Sequence, residues 1–167
     1  MGSRSLGSIS RCAGAILLLA ACTTLQLDAT PPADFDLTGT WFLIEDESES
    51  PPSHRRLRAR GGMLAFITQD FPVLRARGMQ IEQSRDSMGI SYKPNGYRDI
   101  SWGTRNRGLW EVRAGWHENS LYVLSDASDA RARETFTLSE GGRRLDVSVR
   151  IDSRGDDVEV VRVFRRQ

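Results

Sequence analysis

Apolar and polar residues alternate with a period of two along most of the chain after residue 38. The clearest run is 145–151, where Leu145, Val147, Val149 and Ile151 alternate with polar residues. This period places successive apolar side chains on one face of an extended strand. Similar runs predict further strands at 40–46, 63–69, 78–84, 87–92, 97–102, 110–116, 120–125, 131–138 and 158–165.

Short turn-forming sequences such as Pro94-Asn95-Gly96 and Gly141-Gly142 separate these runs. Successive strands joined by short turns pair in antiparallel fashion, and they leave two unpaired edges unless the sheet closes on itself. We therefore predict an all-β domain over residues 38–167, an up-and-down antiparallel meander that forms a β-barrel of about 8–10 strands. A β-sandwich is the alternative. No amphipathic helix is expected after the N-terminal segment.

Large apolar residues in the buried phase of these strands are candidates to line a ligand pocket. In a hollow barrel they surround an acyl chain or another apolar molecule, whereas in a narrow barrel they simply fill the interior. The pattern leaves both alternatives open. The candidate pocket residues are Trp41, Phe66, Met88, Ile90, Trp102, Trp110, Trp116 and Phe136.

The N-terminal segment has the pattern of a secretory signal. Residues 1–11 are polar and include Arg4 and Arg11, and residues 12–21 form a continuous apolar run. That run is shorter than the roughly 20 residues needed to span a bilayer as a helix. We therefore expect residues 1–21 to be a cleaved signal peptide and not a transmembrane helix.

The sequence Leu19-Ala20-Ala21-Cys22 resembles the lipobox of bacterial lipoproteins. In that family the cysteine receives a diacylglycerol, the signal is cut in front of it, and the new N-terminus is acylated. The resemblance implies lipidation of Cys22, a lipidated tether over residues 22–37, and a membrane anchor at the bacterial cell envelope that faces the periplasm. Thr23 stands where an aspartate signals retention at the inner membrane, which implies the outer membrane.

The first predicted strand opens with Gly39-Thr40-Trp41, which resembles the Gly-x-Trp motif of lipocalins and related calycin barrels. In that family the tryptophan packs across the closed end of the barrel, and an arginine of the last strand covers it. The resemblance implies a lipocalin-like β-barrel in which Arg162, Arg165 or Arg166 stacks on Trp41.

Residues 48–62 contain Arg55, Arg56, Arg58 and Arg60. The planar fork of arginine suits phosphate and carboxylate groups. These four side chains are therefore candidates to contact anionic head groups or an acidic partner, and a solvated loop is the alternative reading. A second arginine-rich stretch, 101–110, is expected to be a polar hairpin tip whose two tryptophans turn into the core.

Composition narrows the classes of function. Without residues 1–21 the chain has 21 basic and 22 acidic residues, which argues against a nucleic-acid binder. It contains no P-loop, dinucleotide fingerprint or nucleophile motif. His117-Glu118 could bind a metal only with ligands brought from elsewhere, and the acidic turn 125–130 is favoured as a plain turn over a calcium site. We expect no enzyme activity, no cofactor and no metal.

These observations predict a lipid-anchored, non-catalytic envelope protein that binds a small apolar or amphipathic ligand in its barrel. The alternative is an interaction module with a filled barrel, which docks onto an envelope protein through its arginine-rich loops.

Overall fold

The structure is a computed structural model that describes residues 25–59 and 62–167. The predicted signal peptide, Cys22 and Arg60 lie outside the described residues. No helix in the described ranges is both long enough and apolar enough to cross a membrane.

Ten antiparallel strands form one sheet, and neighbouring strands in the sheet are also neighbours along the chain, apart from the β1–β10 pair that joins the two halves. The sheet curls into a nearly closed barrel whose two unpaired strands are β4 and β5. This confirms the predicted all-β, up-and-down barrel. The strands are β1 (Gly39–Leu43), β2 (Gly78–Gln83), β3 (Ser87–Lys93), β4 (Tyr97–Ser101), β5 (Gly103–Arg107), β6 (Trp110–His117), β7 (Ser120–Ala127), β8 (Ala130–Ser139), β9 (Arg144–Ser153) and β10 (Asp156–Arg166).

Alternation along each strand builds the core, because every second side chain points into the barrel. In β9 the residues Leu145, Val147, Val149 and Ile151 are all fully buried, as their sequence period predicts. Polar residues of the same strand lie between them on the partly exposed outer face.

A helical cap, residues 54–75, covers the end of the barrel at which β1 ends and β2 begins, which we call the open end. It contains α1 (His54–Ala59), α2 (Met63–Ile67) and two short 3-10 turns. The predicted strand at 63–69 and the expected absence of helices are therefore wrong. A continuous apolar run does not by itself distinguish strand from helix. Here the exposed positions 63, 66 and 69 are spaced by three, close to the helical period.

Strand β5 was missed by the sequence analysis, which assigned 101–110 to a hairpin tip. Its sequence, GTRNR, has no apolar residue, because it lies at the unpaired edge of the sheet and its residues are exposed or half-buried. Gly103 has a positive φ of 85°, which allows the chain to turn from β4 into β5 across a single intervening residue, Trp102. The two tryptophans do turn into the core, as expected.

Residues 28–37, here named the strap, cross the other end of the barrel, the closed end. Asp28 exchanges two backbone hydrogen bonds with Trp116 of β6, of 2.7 and 2.8 Å. Phe35 and Leu37 are buried in the core. This corrects the expectation of a tether extending to residue 37. The alternation of apolar Phe35 and Leu37 with acidic neighbours lets the strap pack as part of the domain.

Candidate functional site

The closed end of the barrel is plugged by aromatic side chains. Trp41 is fully buried and donates a hydrogen bond from Nε1 to the carbonyl of Leu37 at 2.9 Å. The Arg166 guanidinium lies 4.7 Å from the centre of the Trp41 ring, a distance suited to a cation–π contact. Of the three arginines expected at this place, Arg166 is therefore the one that stacks.

Two more tryptophans complete this plug. The ring centroids of Trp102 and Trp116 lie 5.6 Å apart, and Phe35 of the strap packs edge-on against Trp116 at 4.4 Å. Phe35, Trp41, Trp102 and Trp116 are all buried, so they fill this end of the barrel. The predicted pocket residues Trp41, Trp102 and Trp116 therefore lie together, but as packing of the closed end.

The other predicted pocket residues are spread along the barrel. Met88, Ile90 and Phe136 are fully buried on its interior walls, and Trp110 is buried below the cap. Phe66 is wrong as a pocket residue, because it lies on α2 with 62% of its surface exposed to solvent. It faces outward because Leu64 and Ile67, on the opposite side of the same helix, take up the buried face.

An ion pair crosses the barrel interior at mid-height. Arg98 of β4 donates a hydrogen bond from Nη1 to Glu134 Oε2 of β8, and both side chains are almost completely buried. Strands β4 and β8 are far apart in the sheet order, so the pair links facing walls of the barrel. Burial is the largest influence on the pKa of Arg98 and lowers it. The charges of Glu134 and Tyr92 and their hydrogen bonds together outweigh burial and raise the pKa above the ordinary value, so that the guanidinium stays charged.

Three buried polar atoms of this region have no hydrogen-bond partner among the described residues. They are Arg98 Nη2, Glu134 Oε1 and the Tyr92 hydroxyl. Burial, reinforced by the negative charge of Glu134, raises the pKa of Tyr92 far above its usual value near 10, which keeps the hydroxyl protonated. All three atoms have almost no accessible surface, so the side chains of this region pack closely against one another, and the Tyr92 hydroxyl lies within reach of Arg98.

Two further charges extend this group towards the open end. Asp70 of the cap accepts a hydrogen bond from Trp110 Nε1 at 2.9 Å. Partial burial, together with the positive charge of Arg98, lowers the pKa of Arg107 on β5. We call Asp70, Tyr92, Arg98, Arg107 and Glu134 the polar cluster. It contains two positive and two negative charges.

A cleft of about 380 Å³ opens in the barrel wall between β4 and β5, the two strands that do not pair. Inward-facing Arg98, Ile100 and Val112 form its floor, and Arg105 and Arg107 stand at its edge. The remaining lining residues are Tyr97, Asp99, Ser101 and Asn106. Arg98 and Arg107 belong to both the cleft and the polar cluster, whereas Tyr92 and Glu134 do not line the cleft.

The sequence analysis missed Tyr92, Arg98 and Glu134 as site residues, although a signal was present. Glu134 occupies the apolar phase of β8, between Ala132 and Phe136, and Arg98 occupies the apolar phase of β4, two residues before Ile100. A charge in the buried phase of a strand predicts an internal partner or a ligand.

Arg162 is buried at the open end and does not reach Trp41. It donates to the carbonyls of Glu49 (2.8 Å) and Ala76 (3.1 Å), the residues that bracket the cap. Arg162 thus holds both ends of the cap against β10. Arg55, Arg56 and Arg58, the candidates for anionic contacts, are exposed on α1.

Within residues 25–59 and 62–167, no group of three or more His, Cys, Asp or Glu side chains is arranged to hold a metal ion. The polar cluster contains two carboxylates, two guanidiniums and one phenol, whose raised pKa keeps it protonated.

No protein-family model matches the sequence, and no curated protein is similar to it. Solved structures do match. A fatty-acid-binding protein from brain tissue of Drosophila melanogaster is 12% identical, with a TM-score of 0.52 over 78% of this chain and 99% of that one. Fatty-acid-binding protein 1 of Echinococcus granulosus is 11% identical, with a TM-score of 0.52 over 78% and 96%.

A secretary abundant heat soluble (SAHS) protein from Ramazzottius varieornatus is 14% identical, with a TM-score of 0.51 over 78% of this chain and 95% of that one. These similarities concern the fold, because the identities are too low to transfer a function. The chain has a ten-stranded, nearly closed β-barrel fold of the fatty-acid-binding-protein type, in agreement with the calycin resemblance of its first strand.

Proposed function

We propose that this protein binds a small, mainly apolar molecule in the open half of its barrel and does not catalyse a reaction. The observation that carries the proposal is the cleft between β4 and β5, whose floor is formed by the inward-facing residues Arg98, Ile100 and Val112. A barrel that served only as a scaffold has no physical need for such an opening, since pairing of the two free strand edges would close the wall.

The size and lining of the cleft support a small ligand. Its volume of about 380 Å³ lies within the roughly 300–1,000 Å³ of ordinary ligand sites. Apolar Ile100 and Val112 offer contacts to a hydrocarbon part, and Arg105 and Arg107 at the edge offer hydrogen bonds to a polar group. The similar barrels named after fatty acids agree with an apolar ligand but do not identify one.

Native mass spectrometry of the protein purified from its own membranes tests this proposal. We expect an adduct of a few hundred daltons that is lost on denaturation. Val112→Trp, which fills the cleft floor, should abolish the adduct, whereas Glu111→Trp, the neighbouring residue on the outer face, should retain it. A protein free of adducts that also fails to bind added apolar probes contradicts the proposal.

We further propose that the protein acts at the bacterial cell envelope, anchored through lipid on Cys22, and that its barrel faces the periplasm. Support comes from the lipobox-like sequence alone. Cys22→Ala should stay unprocessed and leave the lipid-modified membrane fraction. A variant that still gains the mass of a diacylglycerol contradicts the anchor.

A second candidate function is docking of the cap onto an anionic surface. Exposed Arg55, Arg56 and Arg58 lie on α1, while Met63 and Phe66 on α2 expose apolar surface close by in the same cap. Such a combination of cationic and apolar groups suits a lipid surface or an acidic protein. This surface is separate from the cleft, so the two functions are compatible.

A further inference from the structure

We propose that the wall of the barrel that contains the cleft between β4 and β5 is the surface that lies on the membrane. Its partner is a bilayer with anionic head groups, the same bilayer that would hold the lipid on Cys22. The inference rests on the proposed anchor and extends it, because an anchor alone does not fix which side of the barrel meets the membrane. An amphiphile of that bilayer would then reach the cleft without crossing water.

The first described residues lie on this wall. Residues 25–27 line a cavity of about 360 Å³ together with Gly103 and Thr104, the first two residues of β5. The segment packs closely there, because a Cβ added at Gly115 of β6 would lie 2.9 Å from the Cβ of Leu27. Since β5 also forms one edge of the cleft, the N-terminal segment enters the domain beside the cleft.

The chain between Cys22 and this segment is short. Leu25 follows Cys22 by three residues. Three steps of fully extended chain span at most about 11 Å, so the Cα atom of Cys22 stays within that distance of the Cα atom of Leu25. Three steps along β5 itself cover about 10 Å. The proposed anchor is therefore tied to within about one cleft length of the cleft edge, and the bilayer that holds it must approach this wall.

The far end of the cleft exposes two large side chains. Tyr97, the first residue of β4, is 67% exposed, and Leu109, in the turn that follows β5, is 81% exposed. Both lie at the end of the cleft away from Gly103, because β4 leads into β5 through Trp102 alone. Exposed apolar and aromatic side chains of this kind suit the interface between membrane and water. The anchor point and these side chains thus lie at opposite ends of one surface.

The charges along the cleft favour an anionic surface. Its lining residues include one acid, Asp99, and three bases, Arg98, Arg105 and Arg107. Glu134 neutralises Arg98, which leaves an excess of one positive charge. The other two arginines belong to the inward phase of β5 and are nevertheless exposed, because no strand pairs with this edge. Their guanidinium groups are therefore accessible to the phosphates of anionic lipids.

Fluorescence quenching by membrane lipids tests the inference in the processed, lipidated protein, reconstituted in vesicles of phosphatidylethanolamine and phosphatidylglycerol. Processing removes Cys12 and lipidation consumes the thiol of Cys22, so that an introduced cysteine can be labelled specifically. A label at Leu109→Cys should be quenched by lipids with a nitroxide head group severalfold more strongly than a label at Asp157→Cys. Asp157 is exposed on β10, which lies on the opposite wall of the barrel.

A matched pair of double variants tests the contacts themselves, with the label at Tyr97→Cys. Arg105→Ser/Leu109→Ser removes one exposed arginine and one exposed apolar side chain from the cleft wall, and it should reduce the quenching severalfold. Phe42→Ser/Arg165→Ser removes the same two kinds of side chain from the opposite wall, where they are cross-strand neighbours. This control should leave the quenching unchanged. All the substituted side chains are exposed, so the variants should fold.

The outcomes separate the orientation of the barrel from its anchoring. If labels at Leu109→Cys and Asp157→Cys are quenched equally, the assigned surface is wrong and the anchor stands. The same conclusion follows if a label at Phe66→Cys on the cap is quenched while that at Leu109→Cys is not. If mass spectrometry finds no acyl groups on Cys22, the proposed anchor fails and the orientation fails with it.

Discussion

Breaking one half of the ion pair across the barrel should destabilise the protein far more than removing both halves. In Glu134→Ala the Arg98 guanidinium loses its counter-ion in a place where its side chain is only 1% exposed. An uncompensated buried charge typically costs about 3–5 kcal/mol. In the double variant Arg98→Met/Glu134→Leu both charges are absent, and apolar side chains of similar length fill the same space.

The magnitude follows from the desolvation of the two charged groups. Transfer of each into the interior costs several kcal/mol, and their attraction in the interior roughly repays both costs, so that replacement of the pair by apolar residues is often neutral or stabilising. We therefore expect Glu134→Ala to lose about 3–5 kcal/mol of the free energy of unfolding, and the double variant to stay within about 1 kcal/mol of wild type or above it. The coupling energy between the two positions should exceed about 2 kcal/mol.

Urea denaturation at pH 7, followed by tryptophan fluorescence and by circular dichroism, measures Glu134→Ala together with the four members of the cycle, which are wild type, Arg98→Met, Glu134→Leu and the double variant. Coincident transitions from the two probes establish two-state behaviour, which the free energies require. Asp126→Ala, on the partly exposed outer face of β7, should cost about 1 kcal/mol or less. If Glu134→Ala is as stable as wild type, or the double variant is as unstable as the single one, the pair is not a buried, mutually compensated contact.

Three further predictions address other parts of the molecule. The pKa of Tyr92 is raised in the folded state, so above pH 10 the unfolded chain binds fewer protons than the folded one. The free energy of unfolding should therefore fall there by up to about 1.4 kcal/mol per pH unit, and Tyr92→Phe should reduce that slope in urea titrations. Gly115→Ala should release the strap to limited proteolysis, because the new Cβ would lie 2.5 Å from Asp28 O; Glu111→Ala, on the same strand, should not. Replacing the three exposed arginines of α1 by serine should weaken binding to anionic vesicles at low salt, and equal binding of both proteins would remove the docking surface.

The fold was predictable where burial is regular. Strands β6 to β10 have one apolar and one polar face, so a period of two reveals them. The same reasoning fails where burial is irregular. β5 lies at the free edge and has no apolar residue to show its period. α2 is a short, continuously apolar helix, and nothing in its sequence shows that Phe66 is exposed. One missed strand and one false strand compensate in the predicted total of ten.

The site was harder to predict than the fold. The apolar phase of the strands correctly placed Ile90 and Phe136 inside the barrel. The direction of each strand was needed to show that Trp41, Trp102 and Trp116 lie together at the closed end. The Arg98–Glu134 contact joins residues 36 positions apart on strands that do not pair. Each residue alone signals an irregularity in its strand, and only the closure of the barrel brings them together.

A crystal structure of the protein grown with a twelve-carbon alkyl amphiphile tests the central claim most directly. We predict electron density for the alkyl chain in the cleft between β4 and β5, against Ile100 and Val112. Density for the alkyl chain only elsewhere on the outer surface, in crystals of the saturated protein, would contradict it.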